Sequence, residues 1–90
     1  MATTTVHYTD AVIGLLTNTG WYQENDLIVK GVADRPVFTK EGKKKTYRCV
    51  VGPLWTTYYD IRKNTIGHMD SIKTQDIELI KAVLKEFTCG

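Results

Sequence analysis

Residues 37–62, VFTKEGKKKTYRCVVGPLWTTYYDIR, contain the pattern that decides the predicted fold. Two runs of β-forming residues, 37–40 and 45–51, flank a polar segment at 41–44, and a third run, 55–62, follows a Gly-Pro pair. Runs of this kind, separated by short segments that contain glycine or proline, are typical of antiparallel strands joined by hairpins. We therefore expect three consecutive strands here, the first two joined by a four-residue loop at 41–44.

Cross-strand pairing favours one register for the first of these hairpins. The four-residue loop places Thr39 opposite Thr46 and Phe38 opposite Tyr47, and such pairs stabilise a sheet by roughly 0.2–1 kcal/mol each. A two-residue turn at Glu41-Gly42 is the alternative, because glycine suits such turns. On the favoured register one face carries Phe38, Lys40, Lys45, Tyr47 and Cys49, and the other carries Val37, Thr39, Thr46, Arg48 and Val50.

The run at 55–62 alternates between a more apolar set and a more polar set of side chains. The more polar set comprises Thr56, Tyr58, Asp60 and Arg62. In a half-buried strand the polar set usually faces water. We therefore expect these side chains to point away from the helices, with Tyr58 as an exposed ring.

Helical patterns lie at both ends of the chain. Residues 8–18 have apolar side chains at helical spacing behind a Thr9 cap, and a clearer amphipathic pattern follows a second predicted cap at Thr74. Valine and isoleucine at 27–32 indicate one further strand. Residues 63–71, which include an asparagine and a glycine, are predicted to be a connection without a strand of their own.

The order of elements predicts an α+β fold in a single small binding domain, residues 1–90. An N-terminal helix precedes a four-stranded antiparallel sheet with meander connectivity, and a C-terminal helix follows it. Short connections are typical of antiparallel neighbours. Two amphipathic helices and one sheet form two layers when both helices pack on the same face of the sheet.

This order of elements resembles that of double-stranded-RNA-binding domains, which have a helix, three strands and a helix. The resemblance implies a sheet backed by two helices. The basic run that those domains carry at the start of their last helix is absent here, where residues 71–75 read SIKTQ. A fourth predicted strand is a further difference. The resemblance is therefore one of architecture, and architecture does not assign a function.

Composition limits the classes of function. The chain has no apolar run near the roughly 18 residues of a membrane span and no signal-peptide pattern, so we expect a cytoplasmic protein. Two cysteines do not make a disulfide framework and are expected to be free thiols, although a Cys49–Cys89 bridge is an alternative. His7, His68, Cys49 and Cys89 show no zinc-ligand spacing. We expect neither a metal nor a cofactor.

Positive charge is concentrated in the predicted sheet. Residues 30–63 carry nine Lys or Arg against three Asp or Glu, a net charge of +6, whereas residues 1–29 carry −3 and residues 64–90 carry −1. Clustered lysines at a projecting turn attract phosphates, and nearby aromatic side chains add stacking surfaces. We therefore expect a non-enzymatic protein that binds DNA or RNA, with binding residues Lys40, Lys43, Lys44, Lys45, Tyr47, Arg48, Tyr58, Arg62 and Lys63.

Two other interpretations of the same residues stay open. The lysines at the tip can simply keep a sheet edge soluble. Alternatively, the chain is an interaction module that inhibits or regulates a protein with an acidic surface, as small proteins encoded by phages and mobile elements often do. A strand at the sheet edge can also pair with a partner strand or form a homodimer.

An enzyme ranks third among the interpretations. The chain has no Walker A loop, and a catalytic Cys–His pair would need a spatial neighbour that a sequence does not show. A metal-independent nuclease would have to draw on Lys45, Tyr47, Arg48 and Tyr59. Their spacing alone does not indicate catalysis.

Overall fold

Two helices and five strands make up the computed structural model, which describes residues 8–24 and 35–89. In chain order they are α1 (Tyr8–Asn18), β1 (Tyr22–Gln23), β2 (Val37–Glu41), β3 (Thr46–Val51), β4 (Trp55–Arg62), β5 (Thr65–Lys73) and α2 (Ile77–Cys89). The strands form one antiparallel meander in chain order. The α+β class is confirmed, but the sheet has five strands instead of four. The strand predicted at 27–32 lies outside the described residues.

The segment predicted to be a connection, 63–71, is mostly strand. β4 and β5 are joined by a two-residue turn at Lys63 and Asn64, whose φ angles are +51° and +64°. Two successive positive φ angles define a type I′ turn, whose twist matches that of antiparallel strands. A register shift at Tyr59–Ile61 marks a bulge between the two strands, and it breaks the simple alternation along β5.

The β2–β3 hairpin has a loop of the predicted length in a shifted position. The last pair is Glu41 with Thr46, so the loop comprises residues 42–45, and Phe38 lies opposite Cys49 instead of Tyr47. The predicted register is therefore wrong by two residues. An even shift keeps every side chain on its face, so Phe38, Tyr47 and Cys49 do share one face as predicted.

Both helices pack on that face of the sheet. The core is formed by Val12, Leu16, Trp21, Phe38, Tyr47, Cys49, Val51, Tyr58, Ile72, Ile80 and Leu84. α1 ends as predicted: Gly20 has a φ of +94°, and the N–H of Trp21 donates to the carbonyl of Leu16 at 3.0 Å. This ending turns Trp21 into the core, whereas the next ring, Tyr22, is half exposed.

The predicted orientation of β4 is wrong. Thr56, Tyr58 and Asp60 face the helices and are buried, whereas Trp55 lies on the outer face and is 48% exposed. The polar side chains are tolerated inside because they have partners. The hydroxyls of Thr56 and Thr74 lie 2.9 Å apart, and Thr74 also donates to the carbonyl of Gly52 at 2.7 Å. A buried polar group with a partner avoids most of the cost of leaving water.

These bonds also explain why Thr74 does not cap α2. Its hydroxyl is buried and hydrogen-bonded to the sheet, and the helix begins three residues later at Ile77. The carbonyl of Asp76 accepts the first helical bond, from the N–H of Ile80 at 2.9 Å. Within the described residues, neither helix has the length and apolar character that a membrane crossing requires.

Candidate functional site

Two turns bring basic side chains to the same end of the sheet. Thr46, the first residue of β3, pairs with Ile61 near the end of β4, so the β2–β3 loop and the β4–β5 turn lie side by side. We call this region the basic end; it comprises Lys43, Lys44, Lys45, Arg62 and Lys63. Four of these side chains are exposed, and Lys45 is half-buried.

A cleft of about 580 Å³ lies between the basic end and the last turn of α2. The β2–β3 loop, Tyr47, Arg62 and Thr88 line it. The loop folds closely over Tyr47, and a Cβ at Gly42 would lie 2.7 Å from the Tyr47 ring and 2.9 Å from the Lys45 carbonyl. Only glycine therefore fits at this position without a local shift. The lysines that follow it in the loop line the cleft.

The carboxylate of Asp60 holds one of the basic side chains. Lys45 Nζ lies 3.3 Å from Asp60 Oδ2, and the N–H of His68 donates to Asp60 Oδ1 at 2.6 Å. Burial would raise the pKa of Asp60, but the His68 N–H and the Lys45 ammonium outweigh it, so the pKa lies below its usual value. Lys45 is thus partly neutralised by an internal partner.

Glu41, the other carboxylate beside the loop, is engaged on both oxygens. Tyr22 donates its hydroxyl to Glu41 Oε2 at 3.0 Å, and Thr46 donates to Oε1 at 3.2 Å. The hydrogen bond to Glu41 is the main reason that the pKa of Tyr22 is raised. Within the described residues the only ion pair is the one between Lys45 and Asp60. Lys43, Lys44, Arg62 and Lys63 are therefore outside any ion pair in that part of the chain.

Two of the predicted binding residues, Tyr47 and Tyr58, belong to the core. They are 4% and 6% exposed, and both rings meet Phe87 edge-on, with centroids 5.1 and 4.9 Å away. Burial, followed by the nearby charge of Asp70, raises the pKa of Tyr58. Their faces are covered by the helix, so the expectation of an exposed Tyr58 ring is wrong.

The remaining two predicted residues point away from the basic end. Lys40 lies on the helix face and donates from Nζ to the carbonyl of Thr19 at 2.9 Å. Arg48 lies on the outer face between Thr39 and Tyr59 and is half-buried. The structure therefore gathers Lys43, Lys44, Lys45, Arg62 and Lys63 and places Lys40, Arg48 and Tyr58 elsewhere. Tyr47 is buried beneath the β2–β3 loop, where it lines the cleft.

Sequence reasoning missed a second group of lysines. A smaller cleft of about 240 Å³ lies between the end of α1 and α2, and Lys40, Lys81 and Lys85 lie around it. Thr88 lines both clefts, which makes them neighbours. Lys81 and Lys85 are four residues apart on an amphipathic helix and therefore lie on one face of it. This spacing could have identified them from the sequence.

Apolar side chains are exposed elsewhere on the surface. Leu54 in the β3–β4 turn is 75% exposed, and Trp55, Ile66 and Met69 on the outer face are each about half exposed. β5 is the last strand of the sheet. The carboxylate of Asp70 accepts from the N–H of Ser71 at 2.8 Å, which occupies one donor of that strand. A homodimer through the sheet edge stays a prediction.

No cluster of three or more His, Cys, Asp or Glu side chains suited to a metal ion occurs within residues 8–24 and 35–89. No protein-family model matches the sequence, and comparison with curated proteins and with solved structures finds no significant similarity.

Proposed function

We propose that this protein is a non-enzymatic nucleic-acid-binding protein that contacts phosphates through its basic end. One observation carries the proposal. Lys43 and Lys44 from one turn, and Arg62 and Lys63 from another, are exposed at the same end of the sheet, while the neighbouring carboxylates of Glu41 and Asp60 already have partners. Such a group of cations concentrates positive potential at one site.

The proposed contacts are electrostatic. Neutralising phosphates releases bound counterions, so affinity falls with salt, with a slope of about −0.9 per phosphate contact on duplex DNA and about −0.7 on single strands. Because Tyr47 and Tyr58 are buried, the basic end itself supplies charge without stacking. Binding there is expected to depend little on base sequence.

The placement of the aromatic and basic side chains supports binding without catalysis. Of the residues that a metal-independent nuclease would need, Tyr47 faces the helices, whereas Arg48 and Tyr59 lie on the outer face. Lys45 is paired with Asp60. Catalytic groups must converge on one reacting atom, and these do not. The predicted cytoplasmic location stays a prediction.

Fluorescence anisotropy with labelled single- and double-stranded oligonucleotides tests the proposal. Binding is expected at low salt and should weaken steeply as salt increases. The double variant Lys43→Gln, Lys44→Gln should lower the affinity about tenfold and make the salt slope shallower by about 1.4–1.8. No binding at low salt, or binding that the double variant leaves unchanged, would overturn the proposal.

Lys73→Glu is the matched control for that variant. It changes the net charge by the same amount, but Lys73 lies at the far end of the sheet, opposite Trp55. A local site predicts that the control changes affinity less than twofold. An equal loss in both proteins would mean that net charge alone drives binding, and that the basic end is not a site.

A second candidate is a protein-interaction module, because Leu54 and Trp55 expose apolar surface at the end opposite the basic one. Exposed apolar clusters on small proteins often mark interfaces with other proteins. Affinity capture from a nuclease-treated lysate, comparing the wild type with Leu54→Ser, separates the candidates. Specific protein partners that the variant loses would favour this function over nucleic-acid binding.

A further inference from the structure

The smaller cleft, between α1 and α2, combines an apolar floor with a cationic rim. Leu15, Trp21 and Leu84 supply the apolar walls, and Lys40, Lys81 and Lys85 surround them. We propose that this cleft receives one unstacked base of a single-stranded nucleic acid, with the lysines on the flanking phosphates. The inference rests on the proposed function and names its substrate class as single-stranded.

The apolar walls suit the flat face of a base. Half-buried Leu15 supplies most of the accessible apolar surface of the cleft, whereas Trp21 and Leu84 line it from the core and are only 4% and 5% exposed. Contact with apolar side chains removes the face of a base from water, which favours binding. It is tolerant of sequence because every base has a π face. The volume of about 240 Å³ is too small for a folded element of a partner protein and leaves room for a single planar group.

The rim supplies three cations, and one of them, Lys40, is held in a fixed position. Lys40 is held by its hydrogen bond to the carbonyl of Thr19, and its aliphatic carbons lie against Gly20, where an added Cβ would be 3.6 Å from Lys40 Cε. Lys81 and Lys85 are one helical turn apart, about 6 Å along the axis of α2. An uncharged apolar ligand would gain nothing from these charges, so the cleft favours an anion with an apolar body.

The two clefts form one route for a strand. Thr88 lines both of them, so a backbone that lies on Lys43 and Lys44 can continue past the end of α2 to Lys85. A duplex cannot use this route without flipping a base out of its stack, which is energetically unfavourable. A single strand has its bases free already, so the geometry selects it over the duplex.

Tryptophan fluorescence tests the inference directly. The chain has two tryptophans, and Trp55 is half exposed on the outer face, so Trp55→Phe leaves Trp21 as the only indole. Titration with a single-stranded 12-mer should quench Trp21, and the same strand should bind at least tenfold more tightly than its duplex. Should Trp55→Phe not fold, the indole N–H resonance of Trp21 in the wild-type chain gives the same readout.

Lys81→Gln with Lys85→Gln should lower single-strand affinity about fivefold to tenfold and leave duplex affinity unchanged, with Lys73→Glu again as the charge-matched control. Equal affinity for single strand and duplex with no change at Trp21, while Lys43→Gln, Lys44→Gln still weakens binding, would overturn the inference and leave the proposed function standing. If neither nucleic acid binds at low salt, both are overturned.

Discussion

Lys45 and Asp60 form an ion pair, with 3.3 Å between Nζ and Oδ2, that links the β2–β3 loop to the middle of the sheet. The Asp60 carboxylate is buried, and its other oxygen accepts the N–H of His68 at the bulge in β5. One side chain therefore joins the β2–β3 loop, β4 and β5. A buried charge is stabilising only with such partners, so the role of this ion pair is structural, and the proposed binding site comprises the exposed basic side chains outside it.

The variant Asp60→Asn should be less stable than the wild type. The amide keeps the shape of the carboxylate and can accept the His68 N–H, but it lacks the charge that holds Lys45. We expect the free energy of unfolding at pH 7 to fall by about 1–3 kcal/mol, measured by urea denaturation followed by circular dichroism. Glu86→Gln, the same change at an exposed position on α2, should alter it by less than about 0.5 kcal/mol. Equal effects would contradict a structural role for Asp60.

The same carboxylate predicts how stability depends on pH. The pKa of Asp60 is lowered in the folded state, so its contribution is present above the unfolded-state pKa, about 4, and is lost as the pH falls through the folded-state value. The difference in unfolding free energy between wild type and Asp60→Asn should therefore be constant from pH 6 to 8 and shrink below about pH 4. A difference that persists undiminished to pH 2 would contradict this assignment.

The sequence predicted the α+β class, both helices and three strands, because these elements have long runs of residues with a clear helical or strand pattern. It missed β5 because Gly67, His68 and Asp70 are poor strand formers, and because the bulge opposite Asp60 breaks the alternation. It assigned the side chains of β4 to the wrong faces of the sheet, because polar residues such as Thr56 and Asp60 are usually exposed to solvent. Their partners, Thr74 and Lys45, are distant in sequence, and no local pattern shows such contacts.

Only part of the candidate site could be predicted, because its other residues come together through contacts that are distant in sequence. Charge clustering points to lysines near a turn, but only topology shows that Arg62 and Lys63 lie beside them. Whether an aromatic ring can contact a ligand depends on which face of the sheet carries it. Tyr58 was expected outside and lies inside, because a single inverted strand reverses every side chain on it.

The hydroxyl groups of Tyr47 and Tyr58 should be dispensable for oligonucleotide binding. Both rings pack against Phe87 in the core, so Tyr47→Phe and Tyr58→Phe should change oligonucleotide affinity less than twofold. Phe87→Ala removes the ring that both contact and should lower the unfolding free energy by about 2–4 kcal/mol. Anisotropy and urea denaturation measure the two effects. A tenfold loss of affinity in a stably folded Tyr→Phe variant would show that a tyrosine hydroxyl contacts the ligand.

The turn between β4 and β5 can be made more stable. Lys63 and Asn64 both have positive φ, which costs a residue with a Cβ roughly 1 kcal/mol or more, and asparagine less. The sequence Asn-Gly is the preferred one for this turn. Lys63→Asn with Asn64→Gly should therefore raise the unfolding free energy by about 1 kcal/mol. Thermal denaturation measures the change, with Lys63→Gln as the control for lost charge. A loss of stability in the double variant would contradict a type I′ turn.

The thiol of Cys49 should be unreactive until the protein unfolds. Cys49 is a free thiol in the core, and burial raises its pKa to about 12. Because thiolate is the reactive form, and the buried thiol has a pKa of about 12, only about one in 10,000 of these thiols would be ionised at pH 8. In a Cys89→Ser variant, which leaves Cys49 as the only cysteine, labelling with a chromogenic disulfide at pH 8 should be negligible in buffer. The labelling rate should increase with urea in parallel with the unfolding transition. Rapid labelling without urea would mean that the helix layer opens locally over β3, and the packing of α1 and α2 on the sheet would then be less stable than the rest of the fold.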